Sequence, residues 1–150
     1  MVRLRAQGER LVFNQAQHLI VRIENEPTYV LHRRAFGETS VTLELLTKNH
    51  GRIGALARGT RQLSPKGGKD VLSPGALYIA DLAGTGELLQ LRRFEIFETA
   101  PAFVGERGLA LMYVNELIIA LLPRGDAHER LFLHYQNSIQ TIAFGDLGAH

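Results

Sequence analysis

From Thr28 to Phe97, apolar and polar residues alternate with a period close to two, and bulky or β-branched side chains recur between turn signals; this pattern predicts strands. Tyr29 to Arg33 reads as a first strand, Phe36-Gly37-Glu38 as a turn, and Ser40 to Leu46 as a second strand with Val41, Leu43 and Leu45 facing inward. Lys48-Asn49-His50-Gly51 is a polar loop of residues that tolerate positive φ, so Arg52 to Arg58 returns as a third strand. Gly59 to Asp70, with Ser-Pro and Lys-Gly-Gly-Lys, predicts a long basic loop. Ala76 to Leu82 gives a fourth strand, Ala83 to Gly86 a turn, and Glu87 to Phe97 a fifth strand with Leu89, Leu91, Phe94 and Ile96 inward. Five such strands suffice to close a small barrel.

Beyond Pro101 the pattern becomes helical. Arg107 to Leu122 is apolar on nearly all sides and is ended by Pro123, which predicts a buried helix. Fully burying a Leu or Ile is worth about 1.5–3 kcal/mol, so more chain or a second subunit is expected to cover it; the chain alone should self-associate or be marginally stable. Asp126, with Glu129 three residues on, predicts a capping box for a second helix whose stripe is Leu131, Tyr135, Ile139 and Ile142. Residues 1–27 end in Glu26-Pro27, a boundary signal, although Val21 and Ile23 suit an extension of the following strand; Met1 to His18 has no assignment. The expected organisation is an N-terminal extension over 1–27, a β domain over 28–98 and a partial helical domain over 99–150.

Composition narrows the chemistry. Zero cysteines in 150 residues exclude disulfides, zinc ribbons and thiol nucleophiles, and point to a reducing compartment. The longest apolar stretch, Leu109 to Leu122, is shorter than the ~20 residues of a membrane span, so no membrane association is expected. The net charge of +2 hides an asymmetry: 14 Lys/Arg against 9 Asp/Glu through Phe97, then 3 against 6 from Glu98 onward. Between Leu45 and Lys69, the cations Lys48, Arg52, Arg58, Arg61, Lys66 and Lys69 stand without one carboxylate, which suits either a solvated basic face or a phosphate-binding surface.

Catalytic spacings are missing. Gly68-Lys69 is followed by Asp70 and position 63 is Leu, so no phosphate-binding P-loop forms, and Gly84-Thr85-Gly86 reads as a hairpin turn rather than a dinucleotide fingerprint. His128-Glu129 would need a second histidine where Phe132 stands, and the six histidines show no ligand spacing. Glu38 and Glu44 read as a solvent-facing strand pair. No enzyme, metal or cofactor is expected. A small barrel with basic hairpins suits single-stranded nucleic acid, with Tyr29, Phe36 and Tyr78 as aromatic candidates; such rings are more often core than stacking platforms, which favours binding by charge and shape. An RNA-binding or protein-interaction barrel is the rival reading.

The runs Tyr29-Val-Leu-His-Arg-Arg-Ala-Phe-Gly-Glu-Thr-Ser40, Leu43-Glu-Leu-Leu-Thr47, His50-Gly-Arg-Ile-Gly54 and Ala57-Arg-Gly-Thr-Arg61, with Tyr113-Val-Asn-Glu-Leu117 and Asp126-Ala-His-Glu-Arg-Leu-Phe132, give a strong resemblance to the bacterial recombination mediator family RecO. The resemblance covers roughly Thr28 to Phe144. It implies a five-stranded OB-fold barrel followed by an α-helical segment, in a non-enzymatic, cytoplasmic, nucleoid-associated protein of recombinational repair. Such proteins bind single- and double-stranded DNA, anneal strands, contact the C-terminal tail of single-strand-binding protein, and join RecR to load RecA. Carried onto this sequence, the DNA role falls on Arg33, Arg34, Lys48, Arg52, Arg58 and Arg61, with Lys66 and Lys69 following by charge. Family members usually run beyond 200 residues and many carry zinc-binding cysteines; this sequence has neither feature and reads as a short form lacking the C-terminal part.

Overall fold

Two groups of buried apolar side chains organise the chain: one made by the strands and their adjoining turns, the other shared between sheet and helices. The computed structural model describes residues 9–13, 19–59 and 72–146. The strands are β1 (Glu9–Phe13), β2 (Leu19–Phe36), β3 (Ser40–Thr47), β4 (Gly51–Ala57), β5 (Leu77–Gly84) and β6 (Leu88–Glu98), and the helices are α1 (Glu106–Leu121) and α2 (Glu129–Phe144). Alternation places Val41, Leu43 and Leu45 of β3, and Leu89, Leu91 and Phe94 of β6, in the strand core. Ile96, expected inward, is exposed. It pairs with Tyr78 in unbroken register with the Phe94–Ala80 pair, but it stands in the last four residues of β6, all of which are exposed.

The expected five-stranded OB-fold barrel is corrected to one six-stranded mixed sheet, ordered β1-β2-β3-β4-β6-β5, with β2 pairing β5 as well. The cause is β2. It runs 18 residues instead of the few around Tyr29 to Arg33, so its first half lies between β1 and β5 and its second half pairs with β3. Glu26-Pro27, a boundary signal in the sequence, lies inside this strand. The register shifts between Ile23 and Glu26, where Asn25 takes φ 54, and a bulge is a place where a strand accommodates proline. The bulge is locked from β5 and β6: the Asn25 N–H donates to Asp81 at 2.8 Å, and the Arg93 guanidinium donates to Asp81 at 2.9 Å and to Asn25 Oδ1 at 3.1 Å.

The helices cover one side of the sheet through Tyr29, Leu31, Leu46 and Leu77. The Tyr29 ring lies 5.3 Å from Phe132 and 5.1 Å from Tyr135, centroid to centroid. In α2 the buried stripe is Phe132, Tyr135, Ile139 and Ile142, with Leu131 half-buried at its edge. Asp126 is not the cap: the helix starts at Glu129, and residues before it are held along β4 by the Gly125 N–H donating to the Arg52 carbonyl at 2.8 Å. Helix α1 buries only Leu111, Asn115 and Ile118. Its Leu109, Tyr113, Leu117 and Leu121, four residues apart, form an exposed stripe that no described part of this chain covers.

The buried Tyr135 hydroxyl donates to Asn115 Oδ1 at 2.6 Å. Burial, with a smaller push from Tyr29 and against the Asn115 bond, raises the Tyr135 phenol well above its usual 10.0. Burial also raises Tyr29. Above pH 10 the unfolded chain releases these protons while the folded chain keeps them, so the stability is complete below that pH and is lost as pH rises. For Tyr135 the expected slope is about 1.4 kcal/mol per pH unit. Urea unfolding across this range should show Tyr135→Phe with a flatter alkaline decline, but lower stability at neutral pH by about 1–3 kcal/mol because Asn115 loses its donor.

Candidate functional site

Arg34 and Arg52, two of the cations expected to bind phosphate, line one groove of about 590 Å³ together with His32, Thr42, Glu44 and Arg124. Strand register brings them together. His32 and Arg34 of β2 stand opposite Glu44 and Thr42 of β3, and Glu44 stands opposite Gly54 of β4. Alternate residues of a strand share a face, so His32, Arg34 and Phe36 form one row beside Glu44, Thr42 and Ser40. Helix α1 flanks the groove with Glu116 and Ile119, and His32 Nδ1 lies 3.7 Å from the Glu116 carboxylate.

Glu44 is the electrostatic centre. Its carboxylate accepts from the guanidinium groups of both Arg52 and Arg124. Arg52 also donates through Nε to the Leu122 carbonyl at 2.7 Å, just past the end of α1, where helix carbonyls lack intrahelical partners. Gly54 makes room for this arrangement, since a Cβ there would lie 2.7 Å from the Arg124 guanidinium carbon. The bond to Glu44 raises the Arg124 guanidinium above its ordinary pKa, fixing its charge. Arg52, its side chain 13% exposed, is thus a structural tie as well as a groove cation. Glu44 is no solvent-facing partner of Glu38, which sits exposed in the β2–β3 turn.

The other expected cations divide. Arg33 pairs in register with Leu43 and falls on the opposite face of β2 from Arg34. Lys48 lies in the β3–β4 turn, six residues along from Thr42 and so about 20 Å from the Arg34 end at ~3.4 Å per residue. Its backbone N–H donates to the Pro27 carbonyl at 3.1 Å. Arg58 is exposed and directly follows the Val41–Ala57 pair, at the end of the sheet where Phe36 meets Ser40. Arg61, Lys66 and Lys69 lie outside the described residues. Arg124 was missed, because only the fold carries it across 80 positions to Glu44. Of the aromatic candidates, Tyr29 and Tyr78 are 2% and 1% exposed, whereas Phe36 is 59% exposed. Among the described residues no group of three His, Asp or Glu side chains could hold a metal ion.

Residues 21–100, from the first half of β2 to just past β6, match the family Recombination protein O N terminal. The chain belongs to that family. The Recombination protein O match contains the sheet side of the groove, while α1 and Arg124 lie beyond it. The DNA repair protein RecO of Xanthomonas euvesicatoria pv. vesicatoria is 42% identical over 121 residues, which cover 81% of this chain and 50% of the relative. That of Coxiella burnetii is 41% identical over 130 residues, covering 85% and 55%. The chain spans about half the length of these RecO relatives. No described helix is long and apolar enough to cross a membrane.

Proposed function

We propose that the groove and the adjoining end of the β2–β3 hairpin form the DNA-binding face of a recombination mediator. The mediator binds single- and double-stranded DNA, anneals complementary strands and, with RecR, loads RecA in RecF-pathway repair, with the C-terminal tail of single-strand-binding protein as a further partner. The protein acts by binding rather than by turnover, in the bacterial cytoplasm. The observation that carries this reading is an arginine-rich groove on a sheet belonging to the Recombination protein O family. Three arginines there face two glutamates, a surplus that attracts phosphate, and Arg58 extends it. Arg61, Lys66 and Lys69 are proposed with Arg58; Arg33 and Lys48 are peripheral phosphate contacts. DNA contacts fall within residues 28–98 and partner contacts within 99–150.

Fluorescence anisotropy against salt tests the DNA reading. Arg34→Ala should weaken binding to any DNA sequence and reduce the salt slope by about 1, without changing stability. Arg52→Ala should weaken binding and also lower the unfolding free energy by about 1–3 kcal/mol, because Glu44 and the Leu122 carbonyl lose a donor. A salt-independent affinity, or a marked preference for RNA of the same sequence, overturns the proposal. Annealing of strands coated with single-strand-binding protein tests the mediator step.

A further inference from the structure

We infer that Phe36 is a stacking platform for the bases of a single nucleic-acid strand whose phosphates lie along Arg34 and Arg58, an inference that rests on the DNA-binding reading above. A lone exposed phenylalanine is ordinary on a protein surface, so its setting must decide. Phe36 is the last residue of β2, contributes to neither buried cluster, and is 59% exposed beside a turn whose residues 37–39 are exposed too. Arg34 precedes it by two residues on the same face, about 6.8 Å away along the strand. Arg58 stands across β3 at the same end of the sheet.

The other exposed rings among the described residues lack these companions. Phe97 lies between Glu95 and Glu98 in a row of exposed residues, and Tyr113 and Phe144 sit on helices in the half of the chain where acids outnumber cations. Among the described residues, only Phe36 is an exposed ring that adjoins Arg34 and Arg58. A strand tracking those cations would bring its bases against the ring. Phenylalanine offers no hydrogen bond to a base edge, so the stacking tolerates any sequence, and a duplex, whose bases already stack on one another, gains little from it.

The test uses the full chain with a thymidine oligonucleotide and a duplex of the same length. Phe36→Ala should weaken oligonucleotide binding by about 5- to 150-fold, leave duplex affinity within about twofold, and leave the salt slope unchanged because no phosphate contact is lost. The chain contains no tryptophan, so Phe36→Trp introduces a single reporter. Its emission should be quenched as the oligonucleotide binds, at an affinity no weaker than the parent's. Circular dichroism confirms that both variants fold. Unchanged oligonucleotide binding by Phe36→Ala, an equal loss on duplex, or an unquenched tryptophan in the bound complex overturns the stacking role and leaves the DNA-binding reading standing. Failure of the parent chain to bind either DNA overturns both.

Discussion

Gly51→Ala is expected to lower the unfolding free energy by about 2–5 kcal/mol, among the largest effects of any single methyl group in this chain. Two costs add. Gly51 opens β4 at φ 69, where an L side chain costs roughly 1–2 kcal/mol. Its Cβ would also fall inside the van der Waals radius of the Asp126 carbonyl. That backbone has little freedom to withdraw, because the Gly125 N–H is bonded to the Arg52 carbonyl and Arg124 is bonded to Glu44. Forced overpacking of this kind costs about 1–3 kcal/mol. Thermal unfolding should shift down by roughly 4–20 °C at ~2–4 °C per kcal/mol for a chain of this size. Gly51→Asn separates the terms, since asparagine tolerates the left-handed backbone but brings the same Cβ. It should recover only the smaller share, and a melting point for Gly51→Ala close to that of the parent would mean that residues 124–127 do not rest on β4.

The same contact shows which parts of the structure were legible in the sequence. Alternation found β3 and most of β5 and β6, where buried and less buried residues alternate along much of the strand, whereas β4, buried on both faces, was marked only by the polar loop before it. It broke at Glu26-Pro27, where local rules end a strand. The bulge at Asn25 keeps β2 running, through bonds to Asp81 and Arg93 more than 50 positions away. Asp126-x-x-Glu129 satisfies the capping pattern, yet the helix begins only at Glu129, and contacts with Gly51 and Arg52 hold the segment before it against β4. Clustering of cations in sequence identified a basic stretch but could not assign faces. Arg33 and Arg34 are neighbours that point apart, while Arg52 and Arg124 are distant residues that share one carboxylate.

That shared carboxylate leads to the second large effect, in which stability and binding move in opposite directions. Glu44→Gln should destabilise the fold by about 2 kcal/mol. Removing one member of a fully buried ion pair costs about 3–5 kcal/mol, and here the cost is reduced because the Glu44 and Arg52 side chains keep 16% and 13% of their exposure and Arg52 retains the Leu122 carbonyl. The groove, however, loses a fixed negative charge, and Arg124, 39% exposed, is released from it. One to two additional phosphates can then be neutralised, so the slope of log affinity against log salt for single-stranded DNA should steepen by roughly 0.7 for each, and affinity at low salt should rise several-fold. A protein in which Arg52 and Arg124 serve only to fasten α1 and the 124–127 segment to the sheet would lose stability on this substitution and show no change in the salt slope. On the proposed DNA-binding reading, Glu44 sets how much of the groove's positive charge is held for the fold and how much is open to phosphate, and chemical denaturation paired with salt-dependent anisotropy on the one variant measures both shares.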